Sequence, residues 1–272
     1  MQRRSTPSPA LADWIAHFWC WQMTAGTPLP TLFPGTGGEL LLNLGDPLCI
    51  VTIPLDSRQP PNCLILPKGE AVLLRPRKSR MTFTPQGEID LLSIRLRSAT
   101  CFPLLGIAMD ELDDVPVSFT DLGLCCAIPE LINLPYEMRI SRLERWLLAI
   151  ADRCHLMNTD LIQAVNRLYY GDSFSTIRSQ LGMSERTILR RVHQFTGVDV
   201  RYFCRTARFQ RTLRQLLAEG DVLNSALNHG YCDQAHFIKT CRLYTDLTPT
   251  ELLKRQYRQL NYYTNTLAGC VP

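Results

Sequence analysis

The stretch FSTIRSQLGMSERTILRRVHQFTG, residues 174–197, decides how the C-terminal part of this chain folds. Gly182 supplies the freedom for a tight turn, and Ser184 follows as an N-cap for a longer helix. At 100° per residue, Ile188, Val192 and Phe195 gather on one side of that helix and Arg186, Leu189, Arg190 and His193 on the other. The apolar stripe must face a core, so the cationic stripe projects outward. A short helix, a glycine turn and a second helix of this kind predict a helix-turn-helix. Arg186 and Arg190 can each donate two hydrogen bonds to guanine O6 and N7, and Leu189 can touch a thymine methyl. The plainer reading leaves the same arginines solvated or on phosphates alone.

The layout recurs in DVLNSALNHGYCDQAHFIKTCRLYTD, 221–246, with Gly230 at the turn and Asp233 as the N-cap. Phe237, Cys241 and Tyr244 form its inner stripe, with Ile238 at the margin. Ala235, Lys239 and Arg242 point the other way and His236 lies at the edge. A lysine offers no planar fork of donors, so this helix is expected to grip backbone more than to read bases. Between the units, VRYFCRTARFQRTLRQLLAEG (200–220) has no glycine before Gly220 and no proline. Some 20 residues at about 1.5 Å each make a strut of about 30 Å. Successive major-groove faces recur about every 34 Å, so one chain can present two helices to adjacent grooves. Arg201, Arg205, Arg208, Arg211 and Arg214 on the strut add phosphate attraction where they face DNA and otherwise form a solvated surface.

Charge follows the same division. From Thr159 onward there are 15 Lys+Arg against 9 Asp+Glu, whereas residues 1–158 hold 14 against 16. Only Lys239 and Lys254 of the 15 are lysines, which suits planar recognition of phosphate or guanine. With 46% apolar and 20% charged residues, the composition excludes a disordered, collagenous or rod-like chain. Apolar runs such as LCIVTI (48–53) fall far short of the roughly 18 residues of a membrane span, and Pro7, Pro9, Asp13 and His17 interrupt any signal-peptide core. A cytoplasmic protein without a membrane partner is expected. The 11 cysteines are odd in number and contain no CxxC pair, so reduced thiols are expected rather than a disulfide framework. His229, Cys232, His236 and Cys241 can be drawn as a metal cluster. Helical geometry favours the structural reading, with Cys241 among Phe237 and Tyr244 and His236 facing elsewhere. No metal, cofactor or catalytic residue is expected.

Residues 30–98 read as short strands: ELLLNL, CIVTI, CLILP, AVLLRP, MTFTP and IDLLSIRLR, separated by turn signals such as PGTGG, LGDP and PQGE. That spacing predicts an antiparallel barrel or sandwich. Trp14, Phe18, Trp19 and Trp21 can line a ligand pocket, but aromatics this close together more often anchor an element to the core. In YEMRISRLERWLLAIADRC (136–154), Ile140, Leu143, Leu147 and Ile150 form an a/d seam, read either as a helix docked on its own domain or as a dimer interface. The expected organisation is a β-rich regulatory domain at 1–135, a linker helix at 136–158, an all-α DNA-binding domain at 159–258 and a tail at 259–272.

Together, LGMSERTILRRV, HGYCDQAHF and LTPTEL resemble the DNA-binding domain of the AraC family of bacterial transcription regulators, over about residues 159–257. The resemblance implies that Arg186, Leu189 and Arg190 in the first helix, and Gln234, Ala235 and Lys239 in the second, contact operator bases. Lys239 stands where the family usually has Arg, Cys241 where it has Phe, Asp246 where it has Gly, and Val192 where it has Phe. PALADWIAHFWCWQ followed by LFPGTGGELLLNLGD is similar to the N-terminal domain of one group of AraC-like regulators, in which a short helix-aromatic segment precedes a Pro-x-Gly-x-x-Glu strand. That similarity implies a cupin-like sensing or pairing domain.

The expected function is therefore a two-domain α+β transcription regulator. Its implied partners are double-stranded operator or promoter DNA, RNA polymerase, a second copy of the chain and a small-molecule effector of unspecified identity. The rival from another class is an alkyl-transfer repair enzyme with an acceptor cysteine on the same DNA-binding module. Such an enzyme needs a cysteine activated by a metal or histidine, and residues 1–158 hold only His17 and His155.

Overall fold

The computed structural model describes residues 2–56, 58–152 and 159–254. Strands β1 (Gln2–Ser5), β2 (Ile15–Met23), β3 (Glu39–Asn43), β4 (Leu48–Ile53), β5 (Asn62–Leu66), β6 (Ala71–Leu74), β7 (Arg80–Pro85) and β8 (Ile89–Leu96) precede helix α1 (Cys101–Leu105), strand β9 (Val117–Ser118) and helix α2 (Tyr136–Ala151). They form two antiparallel sheets, ordered β1-β2-β8-β3-β6-β9 and β5-β4-β7. The result is a sandwich of two sheets rather than a closed barrel.

The larger sheet is covered on both faces, which explains why β3 reads ELLLN with every position buried. Phe18, Cys20, Leu40, Leu42, Leu92 and Ile94 point into one core, shared with α1 and α2. Trp19, Trp21, Leu41, Val72 and Leu91 point into a second, closed by Leu48, Ile50 and Phe83 of the smaller sheet. The aromatic segment is thus mainly a strand, preceded by a 3₁₀ turn at Pro9–Leu11. Alternating side chains between two apolar layers suits bulky aromatics in a pleated strand. All four of Trp14, Phe18, Trp19 and Trp21 are buried core residues.

Helix α2 uses its seam internally. Leu143 and Leu147 are buried in the first core, and Ile140 and Ile150 pack against it. The dimer interface drawn on Ile140, Leu143, Leu147 and Ile150 is therefore corrected, because these side chains cover the sheet. Arg139 locks the helix down with two hydrogen bonds to Asp90, at 2.7 and 2.8 Å, and a third to the Ile132 carbonyl. The remainder of the expected linker at 153–158 and the tail at 259–272 lie outside the described residues.

The C-terminal part is helical: α3 (Thr159–Tyr170), α4 (Phe174–Leu181), α5 (Glu185–Thr196), α6 (Val200–Glu219), α7 (Val222–Asn228), α8 (Gln234–Thr245) and α9 (Pro249–Leu252). Helix α6 serves two cores. Its first half, with Val200, Phe203 and Ala207, packs with α3, α4 and α5. Its second half, with Phe209, Leu213, Leu216 and Leu217, packs with α7, α8 and α9. One uninterrupted helix therefore carries both helix-turn-helix units.

Candidate nucleic-acid interface

Local sequence sets up each unit. Ser173 and Ser184 cap α4 and α5 by accepting from the N–H groups of Thr176 and Thr187. Between the helices Gly182 adopts φ +60°, a left-handed conformation that costs glycine no steric strain. Arg178 of α4 pairs with Glu185 of α5 at 2.7 Å across that turn. In the second unit Asp221 and Asp233 cap α7 and α8, and Gly230 takes φ +76°. Both N-caps expected at the long helices, Ser184 and Asp233, are thus formed.

The wheel assignments become surfaces. Ile188, Val192 and Phe195 are buried, while Arg186, Leu189 and Arg190 are exposed, Leu189 at 40%. None of these three has a hydrogen bond or ion pair with another described side chain, so a row of two guanidinium groups around an isobutyl group faces solvent. On α8, Phe237, Cys241 and Tyr244 are buried, whereas Gln234, Ala235, His236, Lys239 and Arg242 are exposed. The His236 ring lies edge-on to Tyr231 at 5.0 Å. Cys241 sits in the apolar core, its thiol pushed up to about 12 by burial. Among the described residues no group of three or more His, Cys, Asp or Glu side chains could hold a metal ion.

His193 goes elsewhere. Its Nδ1 lies 3.2 Å from Asp110 of the N-terminal domain, so it belongs to the seam between the domains. Three strut arginines are likewise occupied within the fold. Arg208 donates to the Gly230 carbonyl, Arg211 to the Tyr170 carbonyl and Arg214 to the Tyr169 hydroxyl. Arg201 and Arg205 stay exposed.

The seam itself was not foreseen. At the end of α5, Gly197 (φ +69°) accepts a hydrogen bond from Arg75 at 3.0 Å, and the Gln194 carbonyl accepts from the Met109 N–H at 2.8 Å. A Cβ at Gly197 would lie 2.1 Å from Arg75 and 2.6 Å from the Met109 carbonyl, so only glycine fits this approach. Phe102 of α1 meets Phe195 edge-on at 5.1 Å. Gln210 of α6 accepts from the Thr36 hydroxyl at 2.9 Å. At the end of α8, Arg80 pairs with Asp246. The N-terminal domain thus touches the C-terminal ends of both long helices and the strut between them. The signal in the sequence was RPRKSR (75–80), four cations in six residues, which resembles a nucleic-acid patch until the fold buries much of it.

Burial also sets the state of several thiols. Cys20 and Cys101 are pushed up to about 12 and Cys126 to about 11, each chiefly by desolvation, which holds them as neutral thiols. No described helix is long and apolar enough to cross a membrane.

Two family profiles match the chain: a helix-turn-helix domain over residues 177–255, and a domain of unknown function, DUF6597, over residues 3–118. No curated protein matches it. Among solved structures, ToxT from Vibrio cholerae superposes with a TM-score of 0.51 at 11% identity, over 87% of this chain and 97% of that one. An apo lysine-to-alanine variant of ToxT gives 0.50 at 13% identity, over 92% and 98%. ToxT bound to (E)-4-(8-methylnaphthalen-1-yl)but-3-enoic acid gives 0.50 at 11%, over 86% and 96%. At such identity the likeness is one of fold, and it spans both domains. With the turn, caps and exposed helix faces described above, the chain carries an AraC-type helix-turn-helix domain joined to a β-rich N-terminal domain.

Proposed function

We propose that this chain is a DNA-binding transcription regulator that inserts α5 and α8 into successive major grooves of operator DNA, with the N-terminal domain adjusting how the two helices are presented. The observation that carries this reading is the exposed row Arg186, Leu189 and Arg190 on a helix whose opposite face is buried. Arginine forks read guanine, and the leucine suits a thymine methyl. On α8, Gln234, Ala235 and Lys239 face outward with a single cation among them, so this helix contributes more to backbone grip than to base choice. His193, engaged by Asp110, and the internally bonded strut arginines are left out of the base-reading set. Small-molecule control is supported by the bound acid on the same fold in ToxT and by the extent of the domain seam.

The test is footprinting and gel shift on the upstream region of the protein's own gene. Arg190→Ala is expected to cost about 1–3 kcal/mol on the specific site and to relax base preference there, whereas Lys239→Ala lowers the salt slope by about 1 with little change in preference. Equal weakening by Arg190→Ala on all sequences would assign Arg190 to phosphate. Absence of any protected site would overturn the reading.

A further inference from the structure

Where the first helix of the DNA-binding domain meets the N-terminal domain there is a cleft of about 240 Å³, lined by Asp13, Trp14 and Arg97 on one side and by α3 on the other. The α3 residues are Thr159, Ile162, Gln163 and Asn166, spaced i, i+3, i+4, i+7, which is one face of a helix. The opposite face, with Leu161, Val165 and Leu168, is packed into the core of the first helix-turn-helix unit. Whatever fills the cleft therefore sits directly behind a helix that packs on α4 and α6.

The wall from the N-terminal domain is built, not incidental. Arg97 Nε donates to the Ala12 carbonyl at 2.6 Å, the Arg97 N–H donates to the Trp14 carbonyl at 2.9 Å, and the Thr100 hydroxyl donates to the same carbonyl at 2.8 Å. These bonds pin residues 12–14 against the end of β8 and hold the guanidinium in place. The terminal nitrogens of Arg97 have no hydrogen bond or ion pair among the described residues, and neither does the Asp13 carboxylate. The two opposite charges line one cleft without pairing with each other. The amides of Gln163 and Asn166 face them, each able to donate and accept.

The charge pattern selects the occupant. Asp13 is exposed and Arg97 half-buried, so water satisfies both when the cleft is empty; a simple anion on Arg97 sits beside a carboxylate, a simple cation on Asp13 sits beside a guanidinium, and a neutral molecule gains from neither charge. A molecule bearing both signs satisfies the whole wall. The volume lies below that of sites for drug-sized ligands, so the occupant is small. We propose that the cleft binds a small zwitterion of the α-amino-acid type, its carboxylate on Arg97, its ammonium on Asp13 and its side chain along Trp14 and Ile162. Occupancy then ties α3 to the N-terminal domain and fixes the first reading unit; this regulatory consequence, unlike the binding itself, rests on the function proposed above.

The test uses the full chain in a thermal-shift and tryptophan-fluorescence screen of the common L-α-amino acids. Each is accompanied by its N-acetyl and carboxamide derivatives, which remove one charge at a time. At least one amino acid is expected to raise the melting temperature while both its derivatives fail. Asp13→Asn and Arg97→Gln should each weaken its binding at least about tenfold, as loss of a charged hydrogen bond requires; unliganded melting should be unchanged in Asp13→Asn and lower in Arg97→Gln, which also loses the bond to Ala12. No response to any amino acid, equal response to the derivatives, or full binding by both variants would overturn the proposal. Gel shift of the unliganded protein on its upstream DNA is run in parallel. Loss of that shift counts against the regulator reading, whereas a silent screen beside an intact shift counts against the cleft alone.

Discussion

Asp246 closes α8 in the left-handed region at φ 61°, the one described non-glycine residue with positive φ, and its carboxylate meets Arg80 across the domain seam. Replacing it by glycine removes a backbone strain of about 1 kcal/mol and also removes the ion pair. The pair is unequal in burial, since the Arg80 side chain is 13% exposed and the Asp246 side chain 70%. Solvent screening at the aspartate limits the interaction to about 0.2–1 kcal/mol. The net effect of Asp246→Gly alone is thus a small difference of comparable terms. A double-mutant cycle separates them, because the backbone term is the same whether or not Arg80 is present and drops out. Asp246→Gly, Arg80→Met and the double variant, compared by urea unfolding of the helical signal, should give a coupling of about 0.2–1 kcal/mol that shrinks at high salt. A coupling of zero, or one indifferent to salt, would refute the claim that Asp246 latches the second unit to the N-terminal domain.

Two further outcomes follow from the cores. The His17 imidazole is buried and accepts a hydrogen bond from Arg4 at Nδ1, so burial, aided by Arg4 and other cations, holds its pKa well below the ordinary 6.5. The unfolded chain then binds the proton that the folded one refuses, and stability should fall as pH drops below about 6.5. His17→Asn should flatten that slope in pH-dependent unfolding, and an unchanged slope would remove His17 as its source. Leu147→Ala, at a position with no exposure in the first core, should cost about 2–5 kcal/mol in unfolding of the N-terminal domain. Unchanged stability together with a shift in sedimentation coefficient would instead restore α2 as a pairing surface.

Local chemistry made the two helix-turn-helix units legible. Glycines at 182 and 230, caps at Ser184 and Asp233, and the sorting of Ile188, Val192 and Phe195 away from Arg186 and Arg190 are all relations within one or two helical turns. They hold in the structure. The six strands expected between residues 39 and 97 are also present, because apolar runs bounded by glycine, proline and aspartate leave few alternatives. The strand at Ile15–Met23 was missed because a segment buried on both faces loses the polar alternation that marks a strand.

The amino-acid order alone determined where helices begin and end and which face of each is greasy, since these depend on neighbours a few residues apart. Tertiary structure alone decided what each face meets. The α2 seam covers a sheet, His193 turns to Asp110, Arg75 and Arg80 reach the ends of the two long helices, and Asp13 and Arg97 share a cleft with α3. The physical reason is that an apolar stripe or a charge is indifferent to which partner satisfies it. That choice is made only when segments more than a hundred residues apart pack together.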